Sequence, residues 1–210
     1  MVRMLALVCL LFAVASPAEA AMRPPKVFEK SASQTVPAPL ADKAQIVFIE
    51  PINKARGILP VAIYELSDGK RKLVGVCGYE SRTVVNLQPG EHMLMATQGL
   101  KIVHLMQANV EAGKRYYVMV RFIYTQGMQL RPLRAAGNSD FRVDIPAFAE
   151  WQSETKLVEM MPDAAERIFT SEQIRKVNEA QAEALEEWNS RKTHEERADL
   201  TLTPADAVSL

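Results

Sequence analysis

The chain has 210 residues, 25 Lys+Arg against 25 Asp+Glu, 48% hydrophobic residues, 7% aromatics and two cysteines. This length and apolar content suit one ordinary domain with extensions and exclude wholesale disorder. Two cysteines exclude a disulfide-rich scaffold, a zinc finger and an iron–sulfur site, and the zero charge balance argues against nucleic-acid binding through bulk positive charge.

Residues 1–20 read as a cleavable signal peptide. Arg3 supplies a positive start, residues 4–15 form an apolar run too short to span a bilayer, and Ala18 and Ala20 are the small residues that precede a cleavage point before Ala21. Cys9 lies in the middle of the apolar run, which does not match a lipoprotein leader. Removal of the leader leaves Cys77 without an intramolecular partner, and the apolar residues before it read as a core strand that buries it. No later segment approaches transmembrane length, so the expected product is periplasmic or secreted, in a bacterial cell envelope.

Residues 21–42 carry Pro24, Pro25, Pro37 and Pro39 among small polar residues, the composition of a flexible linker. The expected β-domain covers 43–135. Its strands are 44–49, 61–66, 71–77, 83–87, 91–97, 100–110, 115–124 and 128–133, with Asp68-Gly69, Pro89-Gly90, Gln98-Gly99 and Ala112-Gly113 at turns. Short strands at this spacing predict a mainly β fold, an antiparallel β-sandwich of about seven or eight strands, followed by a C-terminal α-helical tail.

The extension, 136–210, begins with an irregular segment, and 156–161 can add an edge strand. Asp163 with Glu166 predicts a short capped helix, and Thr170 with Gln173 a longer one reaching about residue 198. Ile174, Val177, Ala184, Leu185 and Trp188 make a narrow apolar stripe on the longer helix. The charges separate along the chain. Residues 43–135 hold 13 basic and 6 acidic side chains, a net +7, whereas 136–210 hold 8 and 16, a net −8. That asymmetry suits either a tail folded back on the β-domain or a basic face exposed to anionic envelope polymers, and the apolar stripe either docks on the β-domain or binds a partner.

The runs Val61-Ala62-Ile63-Tyr64 with Asp68-Gly69-Lys70, Leu87-Gln88-Pro89-Gly90-Glu91-His92, and Val110-Glu111-Ala112-Gly113-Lys114-Arg115-Tyr116-Tyr117-Val118 carry a resemblance. Over about 61–120 the chain resembles a family of bacterial envelope domains known as domain of unknown function 2846. The resemblance implies an envelope β-sandwich and supplies no catalytic residues. Members are often lipoprotein-like, and this leader departs from that pattern.

Catalytic motifs are missing. No phosphate-binding glycine loop, nucleophile elbow or metal-binding His-Glu-x-x-His helix is present, and the adjacent pairs Glu186-Glu187 and Glu195-Glu196 read as a solvated helix face. A two-residue turn at Gln98-Gly99 would place Met93, Met95, His104 and Met106 on one face, a thioether and imidazole set suited to Cu(I); core filling by methionine is the plainer reading. Tyr116, Tyr117 and Tyr124 could contribute to a sugar-stacking platform or to sheet packing. His92 is expected to satisfy a backbone group at the turn before its strand. The sequence therefore points to an exported, non-catalytic binding or structural module with no cofactor and no metal site, whose partner is an envelope protein or polymer. A small-ligand binder, for glycan or copper, is the alternative.

Overall fold

The computed structural model describes residues 25–51, 59–124 and 126–209, so the leader expected over 1–20 lies outside the described residues. The body opens with β1 (Phe28–Lys30) and β2 (Ala44–Glu50). Asp68 and Gly69 both have positive φ, 51° and 72°, the left-handed pair that a two-residue type I′ turn requires, and they join β3 (Val61–Ser67) to β4 (Lys70–Cys77). Next come β5 (Ser81–Leu87), β6 (Gly90–Thr97), β7 (Val103–Val110), β8 (Arg115–Ile123) and β9 (Gly127–Leu133). The remaining chain forms α1 (Pro146–Glu154), β10 (Lys156–Met160), α2 (Ala164–Arg167), α3 (Ser171–Ser190), α4 (His194–Asp199) and β11 (Thr201–Leu202).

Among the described residues these strands make two mixed sheets, one in the order β1-β10-β5-β2-β8-β9 and the other β11-β7-β6-β3-β4. Phe48, Ile63, Leu94, Met106, Tyr116 and Leu130, drawn from both sheets, are fully buried in one shared cluster. The purely antiparallel expectation is corrected, because β2–β8, β5–β10 and β7–β11 pair parallel. Eight strands, β2 to β9, lie in the expected β-domain and β10 is the edge strand expected over 156–161; β1 and β11 are additions that bring the total to eleven among the described residues. Hairpin signals report neighbours joined by short turns, whereas parallel partners lie far apart in sequence with no local turn to announce them. β1 and β11 have 3 and 2 residues, too few for alternation to show.

Segments on both sides of the expected β-domain, 43–135, add strands to its sheets. Instead of hanging free as a linker, the segment after residue 24 pairs β1 with β10. Gln34 then acts as a surrogate strand neighbour: its Nε2 donates to the Leu157 carbonyl at 3.1 Å and its Oε1 accepts from the Leu157 N–H at 2.8 Å. At the other end of the chain, β10 enters one sheet and β11 the other.

Both outer sheet faces are covered. The Thr170–Gln173 capping box forms in full and starts α3, which lays Val177, Ala184, Leu185 and Trp188 against Tyr64, Met95 and Leu105. Ile174, the first residue of the expected stripe, is 39% exposed. The helix stops at Ser190 instead of reaching 198, because a second capping box, Thr193 with Glu196, restarts the chain as α4. Asp163 precedes α2 without capping it and instead accepts from Arg167 at 3.0 Å. On the opposite side the segment expected to be irregular contains α1, with Pro146 in its first turn. Phe148 from α1 meets the Tyr117 ring edge-on at 4.9 Å, and Trp151 joins the same cluster. Arg131–Asp199 at 2.9 Å and Arg134–Asp206 at 2.8 Å tie the basic segment to the acidic tail. No described helix is long and apolar enough to cross a membrane.

Candidate functional site

β10 runs beside β5 only from Lys156↔Ser81 to Val158↔Thr83, then leaves to follow β1, with Glu159↔Glu29 and Met160↔Phe28. A cleft of about 700 Å³ opens where the two strands part. Val74, Thr83, Val158 and Met160 line it, together with Val84, Leu157 and Pro37. Hydroxyls of Ser31, Ser33 and Thr35 come from the segment that Gln34 anchors to Leu157. Ser31 donates its hydroxyl hydrogen to the carboxylate of Glu159, the one titratable side chain of this lining. Met160 stays 37% exposed at the mouth. An apolar cleft of this volume with a few convergent polar groups has the dimensions of a ligand site.

A second cleft, about 450 Å³, lies between β7, β9 and the C-terminal half of α3 and is polar, with His104, Gln126, Gln129, Glu187, Lys192 and Glu196 on its walls. Lys192 and Glu187 approach to 3.3 Å. Burial pushes the His104 imidazole down to about 4, and the positive charges of Lys192 and Arg121 add to that while Glu187 opposes it. Folding therefore favours the neutral ring. Stability from this group is complete above the unfolded-state value near 6.5 and declines as pH falls toward 4. After discounting for solvent in the cleft, the expected loss over that window is about 1–3 kcal/mol. Urea midpoints measured from pH 7 to pH 4 should fall less steeply for His104→Gln than for the parent chain. Parallel curves would contradict the assignment.

The copper set is dispersed. The turn at Gln98-Gly99 is a longer connection, and Met93 pairs with Gln107, Met95 with Leu105, Leu94 with Met106 and Ala96 with His104. Met93 and Met95 face the α3 side, whereas Met106 belongs to the cluster between the sheets and His104 shares its side of β7. A change of register in the turn redistributes every side chain beyond it. The sugar-platform set separates as well. Tyr116 is fully buried between the sheets, Tyr117 lies on the opposite face against Phe148, and Tyr124 is 83% exposed. The Tyr116 hydroxyl accepts the Glu111 N–H at 3.0 Å, a structural use.

His92 meets the Gln88 carbonyl at 2.8 Å through Nε2, the turn contact expected of it, and Glu65 at 2.6 Å through Nδ1. Cys77 is fully buried in the central cluster. Glu187 pairs with Lys192, and Glu196 caps α4 through the Thr193 N–H, so these carboxylates serve the helical tail. No group of three or more His, Cys, Asp or Glu side chains suited to a metal ion occurs among the described residues. Sequence reasoning missed the residues of the large cleft. Their only local signal is the Ser-x-Ser-x-Thr run at 31–35, which reads equally well as linker composition.

No family model matches the chain, and no curated protein matches it. Among solved structures, an NMR structure of a protein from Eubacterium rectale is 15% identical, with a TM-score of 0.33, and the match covers 47% of this chain and 94% of that one. Similarity at this level transfers neither fold nor function.

Proposed function

We propose that the chain is an exported, non-catalytic binding module of a bacterial cell envelope, periplasmic or secreted, whose ligand occupies the cleft where β10 parts from β5. The observation that carries this reading is the cleft itself: about 700 Å³, largely apolar, edged by four hydroxyl side chains and one carboxylate. That volume lies within the range of ligand pockets, roughly 300–1,000 Å³. The leader pattern of residues 1–20 and the resemblance of 61–120 to an envelope domain family support the location. A lining with a single titratable group favours binding over acid–base chemistry. The apolar stripe of α3, apart from Ile174, is docked on its own sheet and so is not free to receive a partner.

Two measurements test the reading. Fractionation of cells expressing the full chain should recover a mature protein, shortened by about 20 residues, outside the inner membrane. The neutral apolar dye Nile red should bind the purified protein. Thr35 is exposed on the cleft wall, so Thr35→Trp fills the cleft without touching the core and should weaken binding by roughly tenfold or more. Unchanged dye affinity in that variant would remove the cleft from consideration.

A further inference from the structure

We propose that the cleft is a strand-addition site: an extended, uncharged segment of a partner polypeptide, built of apolar and hydroxyl-bearing side chains, pairs with the open edge of β5. This rests on the reading of the cleft as the ligand site and names the class of ligand.

Register determines which way the β5 backbone points. The Gln45 N–H donates to the Lys114 carbonyl on the β8 side, so the backbone groups of Gln45 turn away from β5. Asn86 pairs with Gln45 and Val84 with Val47, both at positions where the two strands exchange no hydrogen bonds. The N–H and C=O of Asn86 and Val84 therefore also point away from β2. The opposite edge has the same parity, since the Glu80 carbonyl accepts from the Lys156 N–H. β10 occupies this edge only as far as Val158↔Thr83. Beyond that point the Val84 carbonyl, on the cleft wall, and both backbone groups of Asn86, further along the same edge, have no protein partner among the described residues. Met160 directs its own backbone into the cleft, because its neighbours Leu157 and Met161 use theirs toward Ser31 and Val27 on the β1 side.

Alternating backbone donors and acceptors along an exposed strand match one class of ligand, another extended polypeptide backbone. A glycan or an acyl chain presents no such series. The cleft walls set the side-chain pattern. Val74 packs on the cluster between the sheets and Val84 on the cluster of the outer face, while Thr83, Ser33 and Thr35 add hydroxyl-bearing side chains to the lining. Consecutive residues of a strand point to opposite faces, and both faces of a bound segment meet a wall that mixes apolar and hydroxyl-bearing side chains. The edge of β4 is guarded differently, by the exposed Lys70 and Lys72. Charges of that kind discourage edge pairing, whereas Val84-Val85-Asn86-Leu87 carries none.

The test titrates the isotopically labelled protein with a blocked hexapeptide of alternating threonine and valine. Two analogues, N-methylated on alternate peptide nitrogens in one register or the other, are titrated alongside. The unmodified peptide should slow amide exchange at Asn86 by roughly tenfold or more, and one methylated register should lose roughly tenfold in affinity while the other retains it. Asn86→Pro removes an N–H that β2 does not use, a position where an edge strand tolerates proline. It should weaken peptide binding by a similar factor with an unchanged urea midpoint. Equal binding of both methylated analogues, or no binding of any peptide, would overturn the proposal. Slowed Asn86 exchange in peptide-free protein of dimer mass would overturn it in favour of a second copy of the chain. Nile red binding that is lost in Thr35→Trp, without any peptide binding, would leave the cleft as a ligand site and remove strand addition alone.

Discussion

Trp188→Ala is expected to cost roughly 3–5 kcal/mol, a large fraction of the roughly 5–15 kcal/mol that holds an ordinary domain together. Trp188 is 4% exposed and shares its cluster with Met95, Leu105 and Leu200, so truncation opens a void between α3 and the sheet beneath it. The melting temperature should fall by roughly 6–20 °C, and the urea midpoint should fall with little change in slope. Ile174→Ala is the matched control. It lies on the same stripe but is 39% exposed, and it should cost less than about 1 kcal/mol. Equal small effects at both sites would mean that α3 contributes little to the core. The contrast also bears on function, because a helix that the fold needs cannot be surrendered to a partner without loss of stability.

Arg134→Met should be the second large effect. Arg134 ends its guanidinium in a fork that donates to Asp206 at 2.8 Å and to the carbonyls of Thr201, Ala198 and Asp199 at 2.7, 2.8 and 3.1 Å. The two side chains are 19% and 8% exposed. Removing the cation leaves a buried carboxylate, supported by Thr203 alone, and carbonyls without their donor. Breaking a buried pair costs about 3–5 kcal/mol, and partial exposure of Arg134 brings the expected figure to about 2–4 kcal/mol. Amide exchange at Leu202 and Val208 should accelerate by roughly tenfold or more, since β11 and the Val208 bridge to Arg115 follow this anchor. Arg134→Lys should recover little, because one ammonium cannot serve four acceptors spread over a planar fork. The double variant Arg134→Met with Asp206→Leu should regain part of the loss, as the orphaned charge is gone. Unaltered exchange in Arg134→Met would show that the tail is held by other contacts.

Legibility in the sequence followed the range of each interaction. The Asp68-Gly69 turn and the Thr170 capping box are contacts between residues one to three apart, and both took the form that local chemistry predicts. Strands β2 to β9 showed the expected alternation or apolar runs with small shifts at their ends. The Gln98-Gly99 connection failed at the same scale: Thr97 turns its hydroxyl to the Ile102 carbonyl at 3.2 Å and accepts the Gly99 N–H, stabilising a longer loop that two residue types could not reveal. That single difference scattered Met93, Met95, His104 and Met106. For β1 and β11 the strand state comes from a partner more than ninety residues away, and nothing in Phe-Glu-Lys or Thr-Leu encodes it locally.

The opposed charges of the two halves, the capped helix with its apolar stripe and the succession of short strands are properties of the sequence by itself. They determined a mainly β body and a helical tail suited to lying on it. The tertiary structure decided where that tail lies, which strands run parallel and where an edge stays open. The candidate site belongs wholly to this second group, since it forms where β10, held between β5 and a β1 whose paired residues lie 128 to 132 positions away along the chain, ends its pairing with β5. Pairing between distant segments depends on register and on competing partners, and both are settled when the chain is compact, not by the identity of the residues at the edge.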